Sequence, residues 1–302
     1  MKLQEIIANN LSVKLRDLAL DSVLAGDIQK RLIQLGCLDP PADGSFGTVS
    51  RFVLGEYAKQ IGIEFNETVD SRLAQSLLDS SEATFIPLTL GTDFASRIIK
   101  FMQLRNHWIA RLPDFLNIVY VEGANADGKP NADEFNKFND RRIVIAIENG
   151  KPTIKLNVLA TTEPGKHFTD NPMNKGGAAR IAFGQYKAWS VGVHRRGKKS
   201  AHEALVQVDV LSVHRDLNKD GKRTGDKIDV GAGFFLNQHS AHNAPVDNIG
   251  LHGAGCLVGR SHDEHKEFMK LIKTDPRFKK ASNGYKYIST VIAGDTLKET
   301  IV

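Results

Sequence analysis

Cys256 lies in the segment HGAGCLVG, where Gly253, Gly255 and Gly259 surround it. A cysteine nucleophile needs a thiol with a lowered pKa, a base within hydrogen-bond reach, and backbone N–H groups that face the developing oxyanion. Glycines let a backbone approach its substrate closely and leave N–H groups accessible. The segment therefore has the composition of a nucleophile site, although a cysteine is more commonly a buried apolar residue.

His239 is the candidate base for this thiol. It stands seventeen residues before Cys256 and follows the strand-like run VGAGFFLNQ. If that strand and the next are neighbours joined by the loop SAHNAPVDNIG, the imidazole and the thiol lie side by side. The spacing thus favours acyl transfer through a cysteine, with a purely structural thiol as the alternative.

These residues resemble the catalytic segment of the L,D-transpeptidase family, which has a histidine at a strand end followed by a Ser-His-Gly-Cys segment. The resemblance implies that Cys256 is the nucleophile and His239 the base. It also implies that Ser240 holds the imidazole and that Gly255 is the glycine before the nucleophile. The N–H groups near Gly255 and Cys256 would bind the oxyanion.

The match departs from the family pattern at several positions. The usual histidine two residues before the cysteine is Ala254, and the usual serine three before is Gly253. His252 stands one place further back and is a further candidate catalytic residue. The arginine or asparagine that often follows closely is absent at Val258, so Arg260 is the candidate for substrate binding. The resemblance implies an acyl-enzyme on a wall stem peptide, and the sequence does not choose between cleavage and cross-linking.

No cofactor is required by such a mechanism, but one segment suggests calcium. Asp216, Asn218 and Asp220 alternate in DLNKDGKRTGD, with Gly221 in sixth place, as in the first half of a calcium loop. The twelfth position, where a bidentate acid is expected, is Lys227. Calcium at the three alternating residues is therefore possible, and an ordinary turn is the other interpretation.

Zinc is the alternative cofactor, because many histidines are close in the sequence. His262 and His265 are three residues apart on a helical pattern and could face the same way. The remaining members of this group are His239, His242, His252 and Cys256. Neither an H-E-x-x-H motif nor paired C-x-x-C motifs are present in the sequence. A zinc-dependent wall amidase or peptidase is thus the first rival function. His194 and His214, on strand-like runs, could line a cleft or be structural.

The elements that would position these residues change character along the chain. Up to about residue 80 the apolar residues recur at helical spacing, with Asp27 as a candidate N-cap and Gly36 as a helix stop. The segment LGTDFASRIIKFMQLRNHWIARL predicts a helix over 90–112. From about 116, short runs rich in Val and Ile predict strands, and Asn-Gly in ENGKP predicts a hairpin. We predict an α+β protein with a helical domain (1–85), a linking helix (86–115) and a mostly β, L,D-transpeptidase-like catalytic domain (116–302).

The helical domain resembles the three-helix peptidoglycan-binding domain of wall hydrolases over about residues 27–62. The segment LGCLDPPADGSFG carries this resemblance through Leu32, Gly36, Leu38, Asp43, Gly44, Phe46 and Gly47. Cys37 replaces an aromatic residue of the family and is predicted to be buried. The resemblance implies peptidoglycan as the partner. A helical domain that binds nothing is the alternative, because a fold alone does not carry a function.

Composition sets broad limits on these interpretations. The chain has 302 residues, 41% of them hydrophobic, and a formal net charge of +5, which suits an anionic partner. We predict a peptidoglycan partner and no nucleic acid, and the sequence leaves the oligomeric state open. Without a signal-peptide pattern or a membrane-spanning run, we expect synthesis in the cytoplasm and action on the wall after delivery or lysis. A non-catalytic wall-binding protein is the second rival function.

Overall fold

Eight α-helices and thirteen β-strands follow one another along residues 1–300, the part of the chain that the computed structural model describes. The helices are α1 (Leu3–Ala8), α2 (Ser22–Gln34), α3 (Thr48–Gln60), α4 (Ser71–Asp79), α5 (Phe94–Leu104), α6 (Lys166–Asp170), α7 (His262–Ile272) and α8 (Pro276–Ala281). The strands are β1 (Ser12–Lys14), β2 (Thr68–Asp70), β3 (Leu116–Glu122), β4 (Asp140–Glu148), β5 (Lys151–Thr161), β6 (Ala178–Ile181), β7 (Gly184–His194), β8 (His202–Gln207), β9 (Leu211–Asp216), β10 (Lys227–Gly231), β11 (Gln238–Ser240), β12 (Leu257–Gly259) and β13 (Tyr287–Ala293). Short 3-10 helices occupy Leu15–Leu20, Ser282–Gly284 and Asp295–Thr300.

Helices α1 to α4 share one apolar core, to which α2 contributes its buried face. The predicted N-cap of α2 at Asp27 is wrong. The helix begins earlier, where the Asp21 carboxylate accepts a hydrogen bond from Leu24 N–H, and Asp27 instead accepts one from Leu3 N–H at 3.0 Å. The predicted stop is confirmed, because Gly36 follows the C-cap with φ +71°.

The connector between α2 and α3 is held by one buried amide. Gln29 donates to the Asp43 carboxylate at 2.8 Å and accepts from Gly44 N–H at 2.8 Å. Gly44 has φ +71°, and a Cβ there would lie 2.9 Å from the carbonyl oxygen of Ser22, so only glycine fits this turn. Cys37 lies fully buried in the helical core, as predicted.

The linking helix is shorter than the predicted 90–112. Helix α5 ends at Leu104, because Asn106 adopts a left-handed φ of 54° just beyond it. Its apolar face packs on the β-rich half, against residues such as Val119 and Ile143. Trp108 contacts both halves, because its indole N–H donates to the Ile33 carbonyl and its backbone N–H donates to the Gln185 side chain.

A buried ion pair also joins the two halves. The Arg277 guanidinium contacts the carboxylates of Asp39 and Asp275, and all three residues are buried. Removing one partner of such a pair leaves an uncompensated buried charge. The domain limits 1–85, 86–115 and 116–302 stay a prediction.

Eight strands of the second half form one closed sheet in the order β11-β12-β5-β4-β3-β13-β7-β8. The predicted ENGKP hairpin is confirmed: Glu148 pairs with Lys151, and both Asn149 and Gly150 have positive φ. Strand β3 is buried along its whole length, with Tyr120 in one apolar core and Val119 in another. An apolar run without alternation is typical of a strand covered on both faces.

A second sheet of three strands, β10-β9-β6, accompanies the closed sheet. The predicted strand VGAGFFLNQ is not continuous: β10 ends at Gly231, and strand structure resumes only at Gln238. Phe235 has φ +58° in the intervening segment, a conformation that a strand does not allow. The α+β class is confirmed. Within the described residues no helix is long and apolar enough to span a membrane.

Candidate functional site

The candidate nucleophile and base lie on neighbouring strands. Strands β11 and β12 pair in parallel, with His239 opposite Val258 and Gln238 opposite Leu257. Leu257 N–H also donates to the Asn237 carbonyl at 3.0 Å, so Cys256 and Asn237 occupy equivalent places just before the two strands. This parallel pairing brings His239, just before the loop 241–256, close to Cys256, the last residue of that loop.

Both residues line one cleft of about 410 Å³. Its wall contains Ser240 and the exposed His252 from the candidate set, together with the segment 233–236 that the sequence assigned to a strand. The other lining residues are Phe168, Met173, Asn174, Gly177, Ala178, Ala179, His194, Arg195, Ser200, His202, Arg215, His242, Leu251 and Ala254.

The Cys256 thiol is held in its neutral form. Its sulfur accepts a hydrogen bond from Asn237 N–H at 3.4 Å, and the S–H group points toward the Phe235 carbonyl at 3.8 Å. Burial raises the pKa of the thiol to about 11, and the Asn237 N–H opposes this only in part. The lowered pKa expected of the nucleophile is therefore not what this arrangement produces.

His239 is a neutral imidazole whose proton position is fixed. Its Nδ1 lies 3.0 Å from the Ser240 carbonyl, which can only accept, so Nδ1 carries the proton and Nε2 has the lone pair. Burial, and then the neighbouring His194, lower the pKa of His239 well below its ordinary 6.5. No hydrogen bond to Nε2 is found in residues 1–300, and none joins His239 to Cys256 there. His239 thus has the form that a general base needs.

His194 was not among the candidate catalytic residues, although its strand position suggested that it could line a cleft. Its ring stacks on that of His239, with centroids 3.9 Å apart and an interplanar angle of 7°. The Asn237 amide donates to His194 Nδ1 at 2.9 Å, which leaves the proton on Nε2. Burial lowers the pKa of His194 to about 4. The stack restricts the orientation of the His239 ring.

Ser240 holds His239 through its backbone rather than its hydroxyl. Its carbonyl accepts the Nδ1 proton, while its own N–H donates to Nε2 of His202 at 3.1 Å. His202 Nδ1 lies 2.9 Å from the Ser200 carbonyl, which fixes the other proton. His202 lies on a strand-like run, where a histidine is more often structural, and it was not a candidate site residue because its strand β8 joins β11 only in the folded sheet.

Gly255 fits its place before Cys256 because it has no side chain. It has φ +113°, and a Cβ would lie 2.2 Å from the Ala179 carbonyl oxygen. In the described part of the chain, the N–H groups of Ala254, Gly255 and Cys256 have no hydrogen-bond acceptor. Free N–H groups beside a sulfur nucleophile are the donors that an oxyanion requires.

Arg142 connects strands β11 and β12 through hydrogen bonds to their backbone carbonyls. Its fully buried guanidinium donates to the carbonyls of His239 at 3.1 Å and Leu257 at 3.2 Å. It also donates to Nδ1 of His265 at 3.0 Å. Gly259 leaves room for it, since a Cβ there would lie 2.6 Å from the guanidinium. Nothing in the sequence marked this arginine, because the carbonyls that it binds are about a hundred residues away.

Arg260, the candidate for substrate binding, is not brought to the cleft with the others. Its guanidinium donates to the Ala244 carbonyl at 3.1 Å, and its backbone N–H donates to Leu159. The arginines that line the cleft are instead the exposed Arg195 and the buried Arg215, and the charge of Arg215 is paired with Asp229 at 3.0 Å. The described lining of the cleft contains neither aspartate nor glutamate.

The histidines considered as zinc ligands do not converge on one point in the described structure. His242 and His262 stack with centroids 4.5 Å apart, and His202 lies near both. Throughout residues 1–300, however, no three histidine or cysteine ligand atoms lie within 4.8 Å of one another. His214, on β9, lies outside the cleft lining.

The predicted calcium residues largely bond within their own loop. The Asp216 carboxylate accepts from the N–H groups of Asp220 and Gly221, and Asp220 accepts from Asn218 and Lys222. This is the pattern of a turn closed by its own side chains. Calcium at Asp216, Asn218 and Asp220 stays a prediction.

Comparisons with known proteins give two structural neighbours. No protein-family model and no curated protein matches the sequence. The chain is similar to a solved fused Zn-dependent amidase/peptidase/peptidoglycan-binding domain-containing protein from Clostridium acetobutylicum ATCC 824, with 12% identity, a TM-score of 0.27, and coverage of 93% of this chain and 99% of that chain. It is also similar to an L,D-transpeptidase (residues 123–326) from Xylanimonas cellulosilytica DSM 15894, with 10% identity, a TM-score of 0.21, and coverage of 88% and 92%. Similarity at this level carries no functional argument.

Proposed function

We propose that the protein is a cysteine enzyme of acyl transfer that acts on the stem peptides of peptidoglycan. One observation carries this proposal. Cys256 and His239 line a single cleft, His239 Nε2 has no hydrogen-bond partner in the described chain, and the N–H groups of Gly255 and Cys256 beside them are unpaired there. These are the nucleophile, the base and the oxyanion donors of acyl transfer.

The reaction begins from the neutral pair. As the substrate carbonyl approaches, Nε2 of His239 takes the thiol proton and the sulfur of Cys256 attacks the carbonyl carbon. The N–H groups near Gly255 stabilise the oxyanion, and the imidazolium then returns its proton to the leaving amine as the C–N bond breaks. The product is a thioester on Cys256. Water releases it as a cleaved peptide, whereas an amine of a second stem releases it as a cross-link.

The charge of the cleft supports an anionic substrate. Arg195 lies at its surface, and the described lining residues include no acidic side chain. Arg215, in its wall, is already paired with Asp229, so Arg195 is the arginine that remains for a carboxylate. Stem peptides carry carboxylates, which guanidinium groups bind well. Peptidoglycan itself is supported by sequence resemblance, in the segment 27–62 and around Cys256. The choice of wall peptide over other acidic peptides depends on that resemblance.

A non-catalytic wall-binding protein is the second candidate function. It is favoured by the raised pKa of Cys256 and by the absence, in the described part, of a hydrogen bond between that thiol and His239. On this alternative the cleft holds a wall fragment without reacting with it. The two candidates differ in a single respect, the formation of new covalent products.

The test is incubation with purified wall fragments, followed by mass analysis of the products. We expect shorter or cross-linked stem peptides with the unmodified protein, and at least a hundredfold loss in the Cys256→Ala and His239→Ala variants. Cys37→Ala is the matched control, because it removes the other cysteine from a different core. Binding without new products would establish the non-catalytic alternative. Products that survive in Cys256→Ala but vanish with 1,10-phenanthroline would establish a zinc enzyme.

A further inference from the structure

Three carboxylates meet in a place that the proposed chemistry does not use. Glu122 ends β3, Asp133 lies in the loop after it, and Glu163 follows β5. One oxygen from each lies within 4.8 Å of the others. Like charges at this separation repel strongly unless something neutralises them.

Glu163 has a buried carboxylate oxygen that no described protein group satisfies. Its side chain is only 4% exposed. Oε1 accepts from the Arg180 guanidinium, but the buried Oε2 has no hydrogen-bond partner. A buried carboxylate oxygen without a partner is costly, and native structures rarely retain one.

The local charges do not balance. Asp140 is fully buried beside the three acids and accepts hydrogen bonds from Gly123 and Thr162. Two guanidinium groups, those of Arg180 and Arg223, face these four carboxylates. Arg180 also faces the buried Asp216 at 3.8 Å, so at least two negative charges remain when these acids are ionised. A divalent cation would neutralise this excess negative charge.

The cluster opens into a cavity of about 510 Å³, so an ion can reach it. Asp220 and Gly221, from the loop in which the sequence suggested calcium, line the same cavity. The described linings of this cavity and of the cysteine cleft share no residue. The site is thus separate from the proposed catalytic centre.

We propose that Glu122, Asp133 and Glu163 bind one divalent cation of the class that prefers oxygen ligands. Ca²⁺ fits better than Mg²⁺, because Ca²⁺ accepts several protein carboxylates in flexible geometry, whereas Mg²⁺ demands near-octahedral geometry and loses its bound water reluctantly. The bound ion would connect the ends of β3 and β5 with the loop between β3 and β4.

The experiment measures thermal unfolding and calorimetric binding after treatment with EDTA and its removal, with CaCl₂ alone and MgCl₂ alone. We expect a saturable rise in Tm with CaCl₂ that exceeds the rise with MgCl₂. Affinity should fall at least tenfold in Glu163→Gln and Asp133→Asn. Glu134→Gln is the matched control, because it removes an exposed carboxylate from the same loop and should bind normally.

Two results would overturn the proposal. One is the absence of saturable binding of either cation to the unmodified protein. The other is equal binding by Asp133→Asn and the Glu134→Gln control. Asp133 is exposed, so its variant tests the site even if Glu163→Gln fails to fold. A larger response to MgCl₂ would retain the site and refute the preference for Ca²⁺.

Discussion

His194 and His239 stack face to face, with ring centroids 3.9 Å apart and planes within 7° of parallel. Two imidazolium ions could not share this geometry, so the stack itself favours neutral rings. Asn237 fixes the tautomer of His194, and the Ser240 carbonyl fixes that of His239. The pair therefore keeps the base neutral and oriented, a feature that the positions of Cys256 and His239 in the sequence did not suggest.

The loss of activity at acidic pH should follow the protonation of His239, which lies against His194. Because burial and His194 lower the pKa of His239, we expect kcat/KM to keep its value down to a midpoint well below the ordinary 6.5. His194→Gln removes the repulsion between the rings, so the midpoint should move to higher pH. Product formation measured from pH 4 to 8 tests this, and an unchanged midpoint in the variant would contradict it.

The thiol should be slow to alkylate in the free protein. Its pKa near 11 means that the thiolate fraction, and hence the rate with iodoacetamide, rises about tenfold per pH unit up to that value. The measurement uses the Cys37→Ser variant, so that Cys256 is the one thiol present. Half-maximal reactivity below pH 8.5 would show a thiolate–imidazolium pair instead of the neutral pair described here.

Arg142 should act as a positioning residue. Arg142→Lys keeps the charge but cannot reach both strand carbonyls, so we expect kcat to fall about tenfold or more with little change in KM. Loss of buried hydrogen bonds should also lower the free energy of unfolding by about 2–3 kcal/mol.

The neighbouring Arg141→Lys is the control for that change. Arg141 is partly exposed and bonds to Asn157, on the same pair of strands but away from β11 and β12. Activity and urea denaturation of the two variants give the comparison. If both variants have the same kcat, Arg142 does not position the site.

His265 should make the fold sensitive to acid. It accepts from Arg142 and donates to the Glu203 carbonyl, and burial lowers its pKa to about 2. A lowered folded pKa gives stability that is present above the unfolded value of 6.5 and is lost as the pH falls toward 2. Between pH 7.5 and 5 we expect the stability advantage of the unmodified protein over His265→Asn to shrink by about 2 kcal/mol. Urea denaturation at both pH values measures the difference, and a constant difference would contradict the assignment.

The sequence indicated local features well and distant partners poorly. The hairpin at Asn149 and Gly150 and the stop at Gly36 follow from residues that tolerate positive φ, so a short segment suffices to predict them. The α+β class followed from the change in hydrophobic period. The continuity of VGAGFFLNQ was predicted wrongly, because Phe235 adopts a positive φ that its residue type does not indicate, within the irregular segment that lines the cleft.

The neighbours of the site could not be predicted in the same way. His194, His202 and Arg142 reach His239 or Ser240 only because β7, β8 and β4 belong to the same closed sheet. Their partners are backbone carbonyls, N–H groups and a ring face, none of which leaves a motif in the sequence. Glu122 and Glu163 likewise meet only through the pairing of β3 and β5 with β4.

Intact-protein mass spectrometry after mixing with purified stem peptides tests the central claim most directly. We expect a transient mass increase equal to one acyl fragment, located on Cys256 by digestion, at full level in Cys37→Ala. It should be missing in Cys256→Ser and strongly reduced in His239→Ala. New stem-peptide products without any adduct on Cys256, formed equally well by Cys256→Ser, would contradict the proposed nucleophile.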